Sequence, residues 1–318
     1  MSENLLEVEN LKVSFSLEGK ELQAVRGIDF HLAKGEAIGI VGESGCGKSS
    51  AVQALTRLIH ATKISGQVRY AGQNLLLMSE KQLQKIRGPE IGMIFQDPMT
   101  SLNPTMKIGK QISESLLFHR MATKKEARSR ALELLQLVGV PEPQLRLDQY
   151  PHQLSGGLRQ RIMIAIALAC NPRILIADEP TTALDATIQG QILHLLKEMQ
   201  RHFGTGLILI THDLGVVSSL CDQILVMYGG KIVERGTSEE ILLRPRHPYT
   251  QMLLQSRPTF DQKQKGQLTP IAGSPPNLLT PPKGCPFAPR CPKATERCQE
   301  EPPFFSGVAC WLYEEAPQ

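Results

Sequence analysis

The stretch AIGIVGESGCGKSS (Ala37–Ser50) constrains the fold more than any other part of the chain. A continuous apolar run ends in Gly42, a glycine-rich turn follows, and SSAVQALTRLI continues with helical spacing. This is G-x-x-x-x-G-K-[ST] between a buried strand and a helix, the setting in which that pattern has chemical meaning. Gly42, Gly45 and Gly47, with Ser44 and Cys46 between them, let backbone N–H groups turn inward around phosphate oxygens. The helix that opens at Ser49 and Ser50 adds its positive dipole end. Lys48 is placed to offset β- and γ-phosphate charge, and the Ser49 hydroxyl to ligate Mg²⁺. A chance glycine-rich turn would not explain both flanks.

Further short apolar runs fall at Leu6–Phe15, Ile91–Phe95, Arg173–Asp178, Gly206–Thr211 and Gln223–Tyr228. Leu6–Phe15 alternates, as a strand with one wet face does. Helical stretches separate most of the others, so the expected class is α/β with a largely parallel sheet. From Thr105 to about Leu137 the pattern is helical only. TKKE at Thr123–Glu126 has the capping-box form, and Ala127, Ala131, Leu134, Leu135 and Val138 supply an apolar stripe. After about Pro245 a short proline-led helix, PRHPYTQMLLQS, gives way to LTPIAGSPPNLLTPPKG, too rich in proline and glycine for regular structure.

The acidic start MSENLLEVEN does not read as a signal peptide. The longest apolar run, Ile162–Cys170, falls short of the ~20 residues of a membrane span. A cytosolic protein is expected, able to sit on a membrane through something that spans it. The net charge of +4 over 318 residues gives no sign of a nucleic-acid partner.

Two further segments bear on chemistry. RILIADEP puts Asp178 at the end of an apolar strand, where a carboxylate holds Mg²⁺, and Glu179 beside it as a general base toward water. Alone, the pair would read equally as a solvated turn. LSGGLRQR sets Ser155, Gly156 and Gly157 before a long apolar helix, a second anion-binding helix start. One nucleotide does not need two such loops from one subunit. A dimer is expected, in which this loop closes on the γ-phosphate held by the other subunit.

In these motifs the chain resembles the ATP-binding subunits of ABC transporters, over about Leu5 to Gly236. The resemblance implies a P-loop fold: a RecA-like α/β core, an antiparallel β subdomain and a helical subdomain at about residues 97–165. It implies ATP and Mg²⁺ as ligands. Gln96 in MIFQDP takes the place of the family's Mg²⁺-sensing glutamine, and TALD (Thr182–Asp185) matches its D-loop. His212 in ITHD matches the histidine that contacts the γ-phosphate, and Phe15 the aromatic that stacks on adenine. Leu158 departs from the general signature, which has glutamine there.

MIFQDPMTSLNP, YPHQLSGG, ADEPTTALD and RHPYTQMLL resemble more narrowly the ATPases of oligopeptide/dipeptide-type importers, a group that includes nickel importers. GSPPNL, PPKGCPF and PRCP resemble that group's C-terminal extension. The implied division is an ATP-binding domain over 1–245 and an extension over 246–318. The implied assembly is a D-type subunit paired with a paralogous ATPase, two membrane-spanning permease subunits and an extracytoplasmic solute-binding protein. Its place is the cytoplasmic face of the membrane. Nickel or another small solute stays open as substrate, as does a soluble ATP switch or an exporter as function.

Four cysteines crowd the extension, Cys285, Cys291, Cys298 and Cys310. In a reducing compartment such a group reads as metal ligands before disulfides. The spacing C-x5-C-x6-C-x11-C lacks the C-x2-C pairs of structural zinc sites, and four thiolates in a proline-stiffened loop suit a [4Fe–4S] cluster. The resembling tails are associated with one. Zinc, disulfides and free thiols stay open as alternatives.

Overall fold

A computed structural model describes residues 4–181, 186–256 and 271–313. These group into two compact units, one chiefly Leu77–Ile210, the other Leu6–His31, Ile38–Leu76 and Thr211–Gln318. The chain therefore leaves and re-enters each unit.

In the first unit, strand Ile91–Ile94 runs parallel to Ile174–Asp178, which runs parallel to Gly206–Thr211. Ile174–Asp178 and Gly206–Thr211 are buried along their whole length, which is why both read as unbroken apolar runs. Helices Ile108–Phe118, Lys124–Leu137 and Gly156–Ala167 pack on one another. The expected stripe Ala127, Ala131, Leu134, Leu135 and Val138 is fully buried. Each of its larger aliphatic side chains contributes about 1.5–3 kcal/mol on leaving water. The capping box forms as TKKE foretold: Thr123 Oγ1 accepts from the Glu126 N–H, and the Glu126 carboxylate accepts from Thr123 N–H at 2.7 Å. Two short helices join this block: Pro98–Ser101 packs on Gly156–Ala167, and Pro143–Arg146 on Lys124–Leu137.

The second unit holds an antiparallel sheet formed around strand Asn4–Leu17, with Lys20–Ala33 on one side and Lys63–Tyr70 on the other. The buried residues of Asn4–Leu17 change phase, from Leu6 and Val8 to Leu11 and Val13. The pairing with Lys63–Tyr70 shifts register between Glu9 and Lys12, where Asn10 adopts φ +47°. One extra residue at this bulge turns the second half of the strand so that its apolar side chains still face inward.

The same unit carries strand Ala37–Val41, buried throughout, parallel to Gln223–Tyr228. Gln223–Tyr228 turns back antiparallel into Lys231–Thr237. Gly229 and Gly230, at φ +54° and +79°, make the two-residue connection. The C-terminal segment docks on this hairpin: Arg235 N–H donates to Gly307 O at 2.7 Å and Ala309 N–H to Val233 O at 2.8 Å. Helix Pro248–Gln255 forms where the proline-led pattern placed it. From Ile271 to Gly284 the chain is irregular, as its prolines and glycines require.

Candidate functional site

The phosphate loop leaves the end of Ala37–Val41 and enters helix Lys48–Leu55. Glycine is needed at Gly42 and Gly47 for close approach. A Cβ at Gly42 would stand 2.1 Å from Met227 O, and one at Gly47 2.2 Å from Ala24 O. Ser44 and Gly45 are exposed, whereas Cys46 and Lys48 are buried. Lys48 Nζ donates to Gly42 O at 2.8 Å and Glu43 O at 3.0 Å. The ammonium is thus hydrogen-bonded to two carbonyls of its own loop. Burial pushes the Cys46 thiol up, so this cysteine serves as a neutral filler. Ser49 and Ser50 lie half-buried in the first turn of the helix.

Phe15, half-buried, lies on strand Asn4–Leu17 of the same unit. His212 stands exposed just after strand Gly206–Thr211. Two hydrogen bonds close the turn around it: Asp213 N–H donates to Thr211 Oγ1 at 3.1 Å, and Asp213 Oδ1 accepts from Gly215 N–H at 2.6 Å.

In the other unit, Asp178 closes strand Ile174–Asp178 and is 1% exposed. Glu179 follows at φ +44°, a left-handed conformation costly for a residue with a Cβ. It is held there by its backbone N–H on Ile210 O at 3.0 Å. The carboxylate accepts from Gln96 Nε2 at 3.3 Å. Two residues 83 apart in sequence are thus brought together at the ends of neighbouring strands. Ser155 caps helix Gly156–Ala167, its Oγ accepting from Leu158 N–H at 3.4 Å. Ser155 and Gly156 are exposed, and a Cβ on Gly156 would meet nothing within 4 Å. This helix start therefore has open space before it. Leu158 takes part in the cap through its backbone alone, so the departure from glutamine leaves that cap intact. Asp185 of TALD lies outside the described residues.

The extension brings Cys285, Cys291, Cys298 and Cys310 to the wall of one small cavity, together with His247 and Phe287. Cys285 N–H donates to Cys298 O at 3.0 Å, which draws the two segments together. All four thiols are free of disulfides. Burial pushes Cys285 up to about 11 and raises Cys291 and Cys310. Deprotonating them calls for a cation among them. As the side chains stand, no group of three or more His, Cys, Asp or Glu among the described residues is arranged to hold a metal ion.

His247 was not singled out by any sequence pattern. It is 1% exposed, and its Nδ1 accepts from Tyr249 N–H at 3.1 Å. Burial lowers its pKa to about 4, so the ring is neutral and its proton sits on Nε2. That N–H has no hydrogen-bond partner among the described residues. A buried orphan donor costs about 1–3 kcal/mol, and His247 lines the same small cavity as the four cysteines. The donor chemistry suits an anionic, sulfur-ligated group.

Comparison with known proteins gives two family matches. Residues 25–182 match the ABC transporter family and residues 233–298 the oligopeptide/dipeptide transporter C-terminal region. The chain is 53% identical to the oligopeptide transport ATP-binding protein OppD of Bacillus subtilis, over 99% of this chain and 90% of that one. It is 52% identical to the dipeptide transport ATP-binding protein DppD of the same organism (98% and 96%), and 49% identical to OppD of Escherichia coli (94% and 89%). Among solved structures, it is similar to a dimeric ATP-binding cassette in a post-hydrolysis state bound to ADP and phosphate. That likeness has a TM-score of 0.67 and 29% identity, covering 73% of this chain and 98% of the other.

Proposed function

This chain belongs to the ABC transporter family of ATPases, and from that premise we propose that it hydrolyses ATP to drive import of di- and oligopeptides across the cytoplasmic membrane. The observation that carries the chemistry is the Gln96–Glu179 contact, a glutamine amide aligning a carboxylate on a strained strand end. MgATP is the substrate. Lys48 exchanges loop carbonyls for phosphate oxygens, and Phe15 stacks on adenine. Ser49, Asp178 and Gln96 would hold Mg²⁺; hydroxyl, carboxylate and amide oxygen are the hard donors that ion takes. The ion supplies charge neutralisation at the phosphates. Glu179 polarises the attacking water, and His212 contacts the γ-phosphate.

The open space before Ser155 and Gly156 supports a dimer in which that helix start, with Gly157 and the Asp185 loop, closes on the partner's nucleotide. ATP binding draws the subunits together, and phosphate loss parts them, a two-state switch biased by one phosphate group. We take the partner to be a paralogous ATPase, because the hydrophobic Leu158 in LSGGLRQR and the TTALD sequence resemble the D-type member of a pair of different ATPase subunits. Two permease subunits dock on the helical block after Gln96, and an extracytoplasmic binding protein delivers the peptide. No helix of the described residues is long and apolar enough to cross a membrane, in keeping with a peripheral place on the cytoplasmic face. In domain terms, residues 1–245 form the ATP-binding part and 246–318 the extension. The extension's four thiols, with the orphan His247 N–H, support a [4Fe–4S] cluster held there as a structural staple, zinc being the alternative.

The test is uptake in a deletion strain complemented with wild-type or Glu179→Gln protein. Wild type restores uptake of a labelled dipeptide. The variant does not; purified with its partners, it retains bound ATP while turnover falls at least about 100-fold. Unchanged turnover would remove Glu179 from the mechanism, and restored uptake of nickel without peptide would overturn the substrate.

A further inference from the structure

Glu43, inside the phosphate loop, is gripped at three points. Its carbonyl accepts from Lys48 Nζ at 3.0 Å. Its backbone N–H donates to Tyr249 Oη at 2.9 Å. Its carboxylate takes both terminal nitrogens of Arg290, at 2.7 and 3.0 Å. Two of these three grips come from the C-terminal extension, not from the loop.

Arg290 is built to stay in place. Its side chain is 5% exposed. Nε donates to Ala272 O at 2.9 Å, and the two terminal nitrogens also reach Tyr228 Oη at 3.1 Å and Ile271 O at 3.0 Å. The guanidinium lies 5.8 Å from the centre of the Tyr228 ring. Tyr228, Tyr249 and Phe287 pack ring against ring, with centroids 4.5–5.3 Å apart. A bidentate, charge-assisted pair on such a base holds geometry as well as charge.

We propose that Arg290 is a positioning residue for nucleotide binding: acting through Glu43, it fixes the phosphate loop in its receptive shape and neutralises the one carboxylate inside that loop. The inference rests on the ATP reading of that loop. Without Arg290, Glu43 presents an unpaired negative charge beside the incoming triphosphate, and the carbonyl that seats Lys48 loses an anchor. Lysine keeps the charge but not the fork. Removing the carboxylate at the same time removes the repulsion.

The test is MgATP affinity of the full chain, read by displacement of a fluorescent ATP analogue, with melting followed in parallel. Lys48→Ala and exposed Lys283→Gln serve as references. Arg290→Gln is expected to weaken MgATP about tenfold, about 1.4 kcal/mol, and Arg290→Lys less. Glu43→Gln should cost less than Arg290→Gln, and the double variant should match Glu43→Gln alone, the non-additivity of a direct couple. In the assembled transporter, Arg290→Gln should raise KM for ATP about tenfold and leave kcat within about twofold. Wild-type affinity in Arg290→Gln, or strictly additive losses in the double variant, overturns the proposal. So does a fall in kcat at unchanged KM. Should Arg290→Gln not fold, Arg290→Lys and Glu43→Gln decide by the same ordering. If wild type and Lys48→Ala bind MgATP equally, the ATP reading of the loop fails instead.

Discussion

Gly47 has almost no latitude. Its φ is +101°, and a side chain there would run into Ala24 O. Gly47→Ala combines backbone strain of about 1–3 kcal/mol with that overlap. We expect lost MgATP binding and a clearly lower melting temperature, read by titration and calorimetry; an alanine variant with full affinity would refute the steric argument. Gly42, Gly47, Lys48 and Ser49 were all legible in the sequence, because eight neighbouring residues carry the chemistry. Arg290 was not. It lies 247 residues from Glu43, and among the prolines of PRCP it reads as an ordinary surface cation. His247 was hidden for a similar reason: its significance lies in a missing acceptor, which no sequence pattern records.

At the scale of elements, legibility follows burial. The six apolar runs all became strands, and TKKE opened its helix. Strands Lys20–Ala33 and Lys63–Tyr70 were not anticipated from their residues. KELQAVRGIDFHLA mixes charge with apolar positions and is broken by Gly27, and KISGQVRY buries only Val68 and Tyr70. The alternation of a half-wet strand shows only over Ile28, Phe30 and Leu32 in the first and over Val68 and Tyr70 in the second. Asn4–Leu17 stayed legible despite the bulge at Asn10, because its apolar positions resume at Leu11 and Val13 beyond it. Thr123→Ala tests the element that was legible. Losing the cap costs about 1 kcal/mol, a shift of about 1–2 °C in Tm for a chain of this length, with ATP turnover unchanged. No shift in calorimetry would mean the capping box carries no stability.

For the whole molecule the proposed cluster in the extension has a direct test. Anaerobic purification is expected to give a brown protein with iron and acid-labile sulfide, and removing them should lower the melting temperature. A colourless protein with zinc, or one indifferent to metal removal, would exclude the cluster staple. Whatever fills the cavity, the extension has a second effect. Lys231–Thr237 is the outermost strand of its ladder, with a row of backbone groups facing outward. Residues 307–309 occupy part of that row through the Arg235–Gly307 and Val233–Ala309 bonds. An unguarded edge of this kind invites strand addition from other copies. The C-terminal segment is thus also a built-in protection against self-association, and a chain shortened before it would trade a smaller protein for a stickier one.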